Sequence, residues 1–101
     1  METRYEWDST KAATNFKKHG VSFDIALRVF ADPFALMEQD RFDEGEQCWQ
    51  TLGWVDGYML LLVAHTVWEE EEDGLPTEVF RIISARSATK KEKRRYEQQD
   101  R

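Results

Sequence analysis

Residues 34–85 constrain this chain most. They hold four strand-like segments, 34–39, 47–54, 58–67 and 77–85, joined by connections too short for a crossover helix. Parallel neighbours need a crossover of a dozen or more residues, so segments joined this tightly pair antiparallel. Val55-Asp56-Gly57 is the clearest hairpin signal among the connections. The polar run 40–45 reads as a turn. The run Glu69-Glu70-Glu71-Glu72-Asp73-Gly74-Leu75-Pro76 reads as an acidic loop, because like charges facing one another oppose pairing as sheet.

Helical signals flank this block. Tyr5-Glu6-Trp7 reads as a short strand and Asp8 stands where an N-cap belongs; residues 9–19 then read as a helix. The last turn of that helix is cationic and Gly20 follows, which suits the negative end of the dipole and a left-handed closing residue. After Ser22, the residues Phe23, Ala26, Leu27 and Phe30 fall at i, i+3, i+4 and i+7, one apolar stripe for docking on a sheet, and Asp32-Pro33 ends it. The C-terminal segment opens with a capping box, Thr89-Lys90-Lys91-Glu92, and carries one large apolar residue, Tyr96. A basic helix with so little to bury is a solvated tail or a contact surface for RNA or a protein. The order β-α-α-β-β-β-β-α predicts an α+β fold: an antiparallel four- to five-stranded sheet, two N-terminal helices packed on it, and a C-terminal helix. At 101 residues the chain is expected to form one domain, with residues 87–101 as a basic helix or tail.

Charge is distributed unevenly. Residues 1–78 hold 6 Lys/Arg against 17 Asp/Glu, a net −11, whereas residues 79–101 hold 8 against 3, a net +5. Such asymmetry points to a basic site for a polyanion set in an acidic body, since phosphate contact depends on charges within a Debye length of ~8–10 Å. Cys48 is the sole cysteine, the N-terminus lacks an apolar leader, and the longest apolar run, 59–64, falls short of a bilayer span. These features lead us to expect a soluble cytoplasmic protein without a disulfide and with no membrane association. No HExxH, CxxC, EF-hand or Gly-rich phosphate loop is present, so neither metal nor cofactor is expected.

Two dense motifs resemble a known family. The opening Glu6-Trp7-Asp8, Lys11, Asn15, Lys18-His19-Gly20-Val21-Ser22-Phe23, Ala26, Val29-Phe30 and Asp32-Pro33 resembles the N-terminal signature of the BrnT toxins. The closing Arg81-Ile82-Ile83-Ser84-Ala85-Arg86-Ser87-Ala88-Thr89, Glu92 and Tyr96 resembles their C-terminal signature, and Gly45-Glu46 and Thr51-Leu52-Gly53 also fit. A Glu-x-Arg step is common in that family where this chain has Glu46-Gln47-Cys48. The resemblance implies a RelE-like fold and a ribonuclease toxin of a type II toxin–antitoxin system. It further implies neutralisation by a BrnA-like ribbon-helix-helix antitoxin, in a 2:2 complex that binds operator DNA through the antitoxin.

A ribonuclease working without a metal directs the substrate's 2′-OH at the neighbouring phosphate. It must stabilise the added negative charge, take one proton and return one. Arginine suits the charge role through its planar, permanently charged fork. Arg81 and Arg86 are therefore the leading catalytic candidates, with surface arginines paired to acidic neighbours as the competing reading. Strand alternation sets Phe80, Ile82 and Ser84 on one face and Arg81 on the other, so Arg86 joins Arg81 only if the strand ends or bulges near Ala85. Histidine is the side chain suited to proton transfer near neutrality, and His19 beside Lys18 is the candidate. For His65, flanked by apolar residues, a structural role is favoured. Tyr96 is a candidate proton donor or stacking platform, with anchoring of the last helix as the competing role. Lys17, Lys90, Lys91, Lys93, Arg94 and Arg95 are candidate RNA contacts. The opposing reading is a non-catalytic protein- or nucleic-acid-binding module, acting as an adaptor or co-repressor through the basic helix.

Overall fold

The computed structural model describes residues 1–99; Asp100 and Arg101, the end of the expected basic tail, lie outside the described residues. In chain order the elements are β1 (Glu2–Glu6), α1 (Ser9–His19), α2 (Phe23–Ala26), a 3-10 helix (Leu27–Ala31), β2 (Leu36–Asp43), β3 (Glu46–Val55), β4 (Met59–Glu72), β5 (Leu75–Ser87) and α3 (Lys90–Glu97). The strands form one sheet in the order β1-β5-β4-β3-β2. Strands β2 to β5 make an antiparallel meander, as their short connections require. Strand β1 runs parallel to β5, from Glu2 opposite Thr77 to Glu6 opposite Arg81, so the α+β fold holds a mixed sheet rather than a purely antiparallel one. Tight turns fix direction only between the strands they join. The helices carry the chain from β1 to the far edge, and no turn dictates how β1 pairs.

Each hairpin turns on two residues of positive φ: Glu44-Gly45 at 50° and 80°, Asp56-Gly57 at 53° and 77°, and Asp73-Gly74 at 52° and 78°. Turns of this kind match the twist of the flanking strands. The third one corrects the reading of residues 69–76 as a loop. β4 continues to Glu72, and Glu69 to Glu72 pair with Glu78 to Leu75. Arg4 offsets the repulsion by pairing with Glu70 and Glu72, and the Trp68 indole N–H donates to Glu70 at 2.8 Å. Residues 40–43 likewise belong to β2, beyond a bulge between Gln39 and Phe42, and are not the turn expected there.

The caps form where the sequence puts them. The Asp8 carboxylate accepts from the N–H groups of Thr10 and Lys11 at 2.8 and 3.1 Å, and Gly20 closes α1 at φ 71°. The stripe from Phe23 to Phe30 does not make one α-helix; it switches to 3-10 geometry at Leu27, and Val29 turns inward. Gly53 on β3 permits this close approach, because a Cβ there would lie 2.9 Å from the Val29 carbonyl oxygen. On this face Val21, Phe23, Ala26 and Val29 bury against Val55, Leu61, Val63, Ile82 and Ala85.

The opposite face carries a second cluster. There Tyr96 of α3 buries against Leu52, Leu60 and Leu62, with Leu36, Trp54 and Ala88 packed around them. α3 is therefore docked on the sheet rather than left as a solvated tail. One aromatic side chain suffices because it packs among three buried leucines.

Candidate functional site

Strand β5 bulges at Ile83: Ile82 pairs with His65 and Ser84 with the next residue along, Ala64. The extra residue resets the alternation, so Arg81 and Arg86 emerge on the same sheet face, the one that α3 covers in part. They do not form a cluster. The Arg81 Nε and Nη2 groups both donate to Glu6 Oε1, at 3.2 and 3.0 Å, and its guanidinium lies 5.2 Å from the Trp68 ring centroid. Arg86 instead donates from Nη1 to Glu92 Oε1 at 2.8 Å and from Nη2 to Glu92 Oε2 at 2.9 Å. A third bond runs from Arg86 Nη1 to the Ser87 carbonyl at 3.2 Å.

The Arg86–Glu92 pair is fixed by the first turn of α3. Glu92 Oε1 also accepts from the Thr89 N–H at 2.9 Å, while the Thr89 hydroxyl accepts from the Glu92 N–H at 3.1 Å. The predicted capping box thus delivers a carboxylate to Arg86. Chiefly because of Arg86, the Glu92 carboxyl is held down to about 2, and Glu92 in turn raises the Arg86 pKa. Arg86 walls a recess of about 140 Å³ on the open sheet face, with Arg41, Cys48, Gln50 and Ser84.

Two further recesses meet this one around the bulge. Arg81, Glu6, Lys11 and Ile83 line one of about 480 Å³. Lys18, His19, Lys11, Ile83 and Ser84 line another of about 350 Å³. Ile83 is a wall of all three, so the cations of α1 and β5 ring one stretch of strand although each arginine has its own recess. β1 ends at Glu6, opposite Arg81, which leaves the rest of β5 without a strand neighbour on that side. The buried Asn15 takes the strand's place. Its Nδ2 donates to the Ala85 carbonyl at 2.9 Å and its Oδ1 accepts from the Ala85 N–H at 3.1 Å, pinning α1 beside the recess.

The remaining candidates divide. Lys17 is exposed on the last turn of α1. On α3, Lys93 lies 5.8 Å from the Trp54 ring and Lys90 lines a hollow with it. Lys91, Arg94 and Arg95 face the other way, into a groove of about 510 Å³ shared with Leu36 and Glu38, where Arg95 pairs with Glu38 at 2.9 Å. Tyr96 is buried, and its hydroxyl donates to Asp32 Oδ2 at 2.6 Å, an anchor's geometry. His65 is fully buried between Phe30 and Phe80, bonded through Nε2 to the Thr51 hydroxyl at 2.7 Å, with its pKa pushed down to about 4 by burial. Sequence reasoning passed over Arg41, hidden in a stretch read as a turn, and gave no role to Asn15, which entered only as a position of the N-terminal motif. Among the described residues, no group of three or more His, Cys, Asp or Glu side chains is placed to hold a metal ion. No helix among them is long and apolar enough to cross a membrane.

The chain is a small α+β protein with a half-covered sheet face that gathers cations beside a strand bulge. The profile described as "Ribonuclease toxin, BrnT, of type II toxin-antitoxin system" matches residues 7–92. The chain belongs to this BrnT family of ribonuclease toxins, and a type II system implies an antitoxin partner. The crystal structure of the Brucella abortus ribonuclease toxin BrnT is similar, with a TM-score of 0.62 and 25% identity over 89% of this chain and 100% of that one. No curated protein matches the chain.

Proposed function

We propose that this chain is a metal-independent endoribonuclease that arrests translation and growth in the cytoplasm until a BrnA-like antitoxin neutralises it. The reading rests on family membership and on one observation: the three cation-bearing recesses that meet at Ile83. In this reading Arg86 grips the scissile phosphodiester. Lys18 adds positive charge from across the strand edge, and His19 moves protons. The 2′-oxygen bonds to phosphorus as the P–O5′ bond breaks; His19 takes the 2′-OH proton and a protonated group supplies one to the departing 5′-oxygen, leaving a 2′,3′-cyclic phosphate and a 5′-OH. Arg81, held by Glu6 through Nε and Nη2, contributes long-range charge. Lys17, Lys90, Lys91, Lys93, Arg94 and Arg95 hold flanking RNA through phosphate contacts. Tyr96 serves as the anchor of α3.

The antitoxin, of ribbon-helix-helix type and in a 2:2 assembly that binds operator DNA, inhibits by covering this face. The test is direct. Purified chain freed of antitoxin is incubated with mixed-sequence RNA in excess EDTA; cleavage to cyclic-phosphate ends is the expected result. Intact RNA from folded protein overturns the reading. RNA that is bound but uncut favours the non-catalytic binding module.

A further inference from the structure

The recess around Arg86 carries an inference that rests on the ribonuclease reading and deepens it. A guanidinium has five N–H groups. In Arg86 both Nη1 hydrogens are used, by Ser87 and Glu92, and one of the two on Nη2 is used by Glu92. Glu92 thus meets Arg86 end-on, across Nη1 and Nη2. Among the described residues, the bonds that Arg86 makes leave out Nε–H and the second Nη2–H, which lie together on the other edge and form the second fork of the group. The side chain is 37% exposed and walls the recess. Arg81 shows the contrary arrangement: Nε and Nη2 both converge on Glu6, so the corresponding edge is already filled.

Glu92 is also held in its own right. Its Oε1 takes the Thr89 N–H, its backbone N–H is taken by the Thr89 hydroxyl, and Tyr96 pins the helix four residues on. A carboxylate fixed this firmly sets the rotation of the guanidinium it holds.

We propose that Glu92 is a positioning residue, which clamps Arg86 end-on so that its Nε–H and free Nη2–H form the fork that receives the RNA phosphodiester. The carboxylate stays paired throughout and does not act as base. The role differs from simple helix capping, which would end with Thr89, and from masking, in which RNA would have to displace Glu92.

The experiment follows the Arg86 Nε–H resonance by ¹H–¹⁵N NMR while a 2′-O-methyl RNA oligonucleotide, which lacks the attacking hydroxyl, is added; cleavage of the unmodified RNA is measured alongside. In the native chain the resonance is expected to shift saturably. Glu92→Gln keeps a carbonyl oxygen for the Thr89 N–H but loses the charged two-point grip. It is expected to lose that shift and to lower kcat by about 10- to 100-fold, with KM changed less. Thr89→Ala removes the hydroxyl that accepts from the Glu92 N–H but leaves both Arg86–Glu92 bonds and the Thr89 N–H to Glu92 Oε1, and is expected to retain most of the Nε–H shift. Equal losses in Glu92→Gln and Thr89→Ala would reduce Glu92 to a cap and overturn the inference. Tighter RNA binding by Glu92→Gln would make it a mask and also overturn it. In both cases native cleavage leaves the ribonuclease reading standing; a native chain that neither cuts RNA nor shifts the resonance removes both.

Discussion

Arg81 and Arg86 stand on one strand and, past the bulge at Ile83, on one face of the sheet, yet they have been given different surroundings. At the Arg81 end, β1, β4 and β5 bring together Arg4, Glu6, Glu70 and Glu72, and the Arg81 guanidinium closes on Glu6 beside Trp68. At the Arg86 end the one acidic partner among the described residues is Glu92 of α3, which grips end-on across Nη1 and Nη2. Residue type and strand position are shared; the supply of carboxylates is not. In the proposed reading, that supply decides which cation only shapes the surface and which takes part in chemistry.

The largest effect should come from testing the difference directly. Arg86→Ala is expected to reduce RNA cleavage by about 10²–10³-fold, the usual loss for one oxyanion-stabilising donor. Arg81→Ala should cost less than about tenfold, since only its long-range field is removed. Growth arrest on induced expression, read with total-RNA integrity and circular dichroism of each purified variant, checks both. Equal losses would break the comparison and return Arg81 to the centre of the site.

Much of this contrast lies beyond sequence reasoning, and the reasons are physical. Local signals were legible because they act within a few residues: Asp8 and Gly20 bounding α1, Thr89 and Glu92 opening α3, Asp56-Gly57 turning β3 into β4. Nonlocal ones were not. The acid run at 69–72 reads as a loop until Arg4, some 66 residues away from Glu70, is set beside it. The Glu6–Arg81 bond spans 75 residues. β1 runs parallel because its pairing is settled by packing, not by a turn. The candidate site was half legible. Alternation required the strand either to end or to bulge near Ala85 if Arg86 was to join Arg81; that it bulges, at Ile83, and runs on to Ser87 needed coordinates, as did the separate recesses, Arg41 and the Asn15 strand mimic.

The bulge itself is the hinge of the comparison, and His65 sits in it, paired with Ile82 on the buried face. Its pKa falls from 6.5 to about 4 on folding because burial disfavours the charged ring. A depressed folded pKa means full stabilisation above the unfolded value, with loss as the pH falls. Stability should therefore decline from about pH 6.5 to pH 4, by about 3 kcal/mol. Glu92 has the same sign in a lower window, from 4.5 down to about 2. Urea midpoints measured against pH, with His65→Gln as the control lacking the first decline, separate the two. A native curve flat between pH 6.5 and 4 would mean that the bulge does not depend on a neutral ring.

α3 supports the Arg86 end alone, and its anchor is open to a finer test. Tyr96→Phe keeps the ring among Leu52, Leu60 and Leu62 and removes the bond to Asp32, which also accepts from the Trp54 N–H at 2.9 Å. Losing a hydrogen bond to a charged acceptor costs about 1.5–3 kcal/mol. Hydrogen exchange should show faster opening of α3 than of β5 near Arg81. Uniform acceleration across both ends would mean that the second cluster stabilises the whole sheet and not the Arg86 end in particular.

The smallest effect is expected at the acidic end. Arg4→Ala removes the one cation that reaches Glu6, Glu70 and Glu72. The pairs are partly exposed, and such pairs contribute little because solvent screens them and long side chains lose freedom in forming them. Glu70 keeps its bond from the Trp68 indole N–H, the leading cause of its lowered pKa, so the hairpin does not lose every partner. The loss of stability should be modest in dilute buffer and vanish near 1 M NaCl, where the Debye length shrinks to about 3 Å. A large, salt-insensitive loss would show that the carboxylates at this end are held as firmly as Glu92 is at the other. The Glu6–Arg81 pair would then be a requirement of the fold, and the two ends of β5 would differ in what they do for folding before they differ in chemistry.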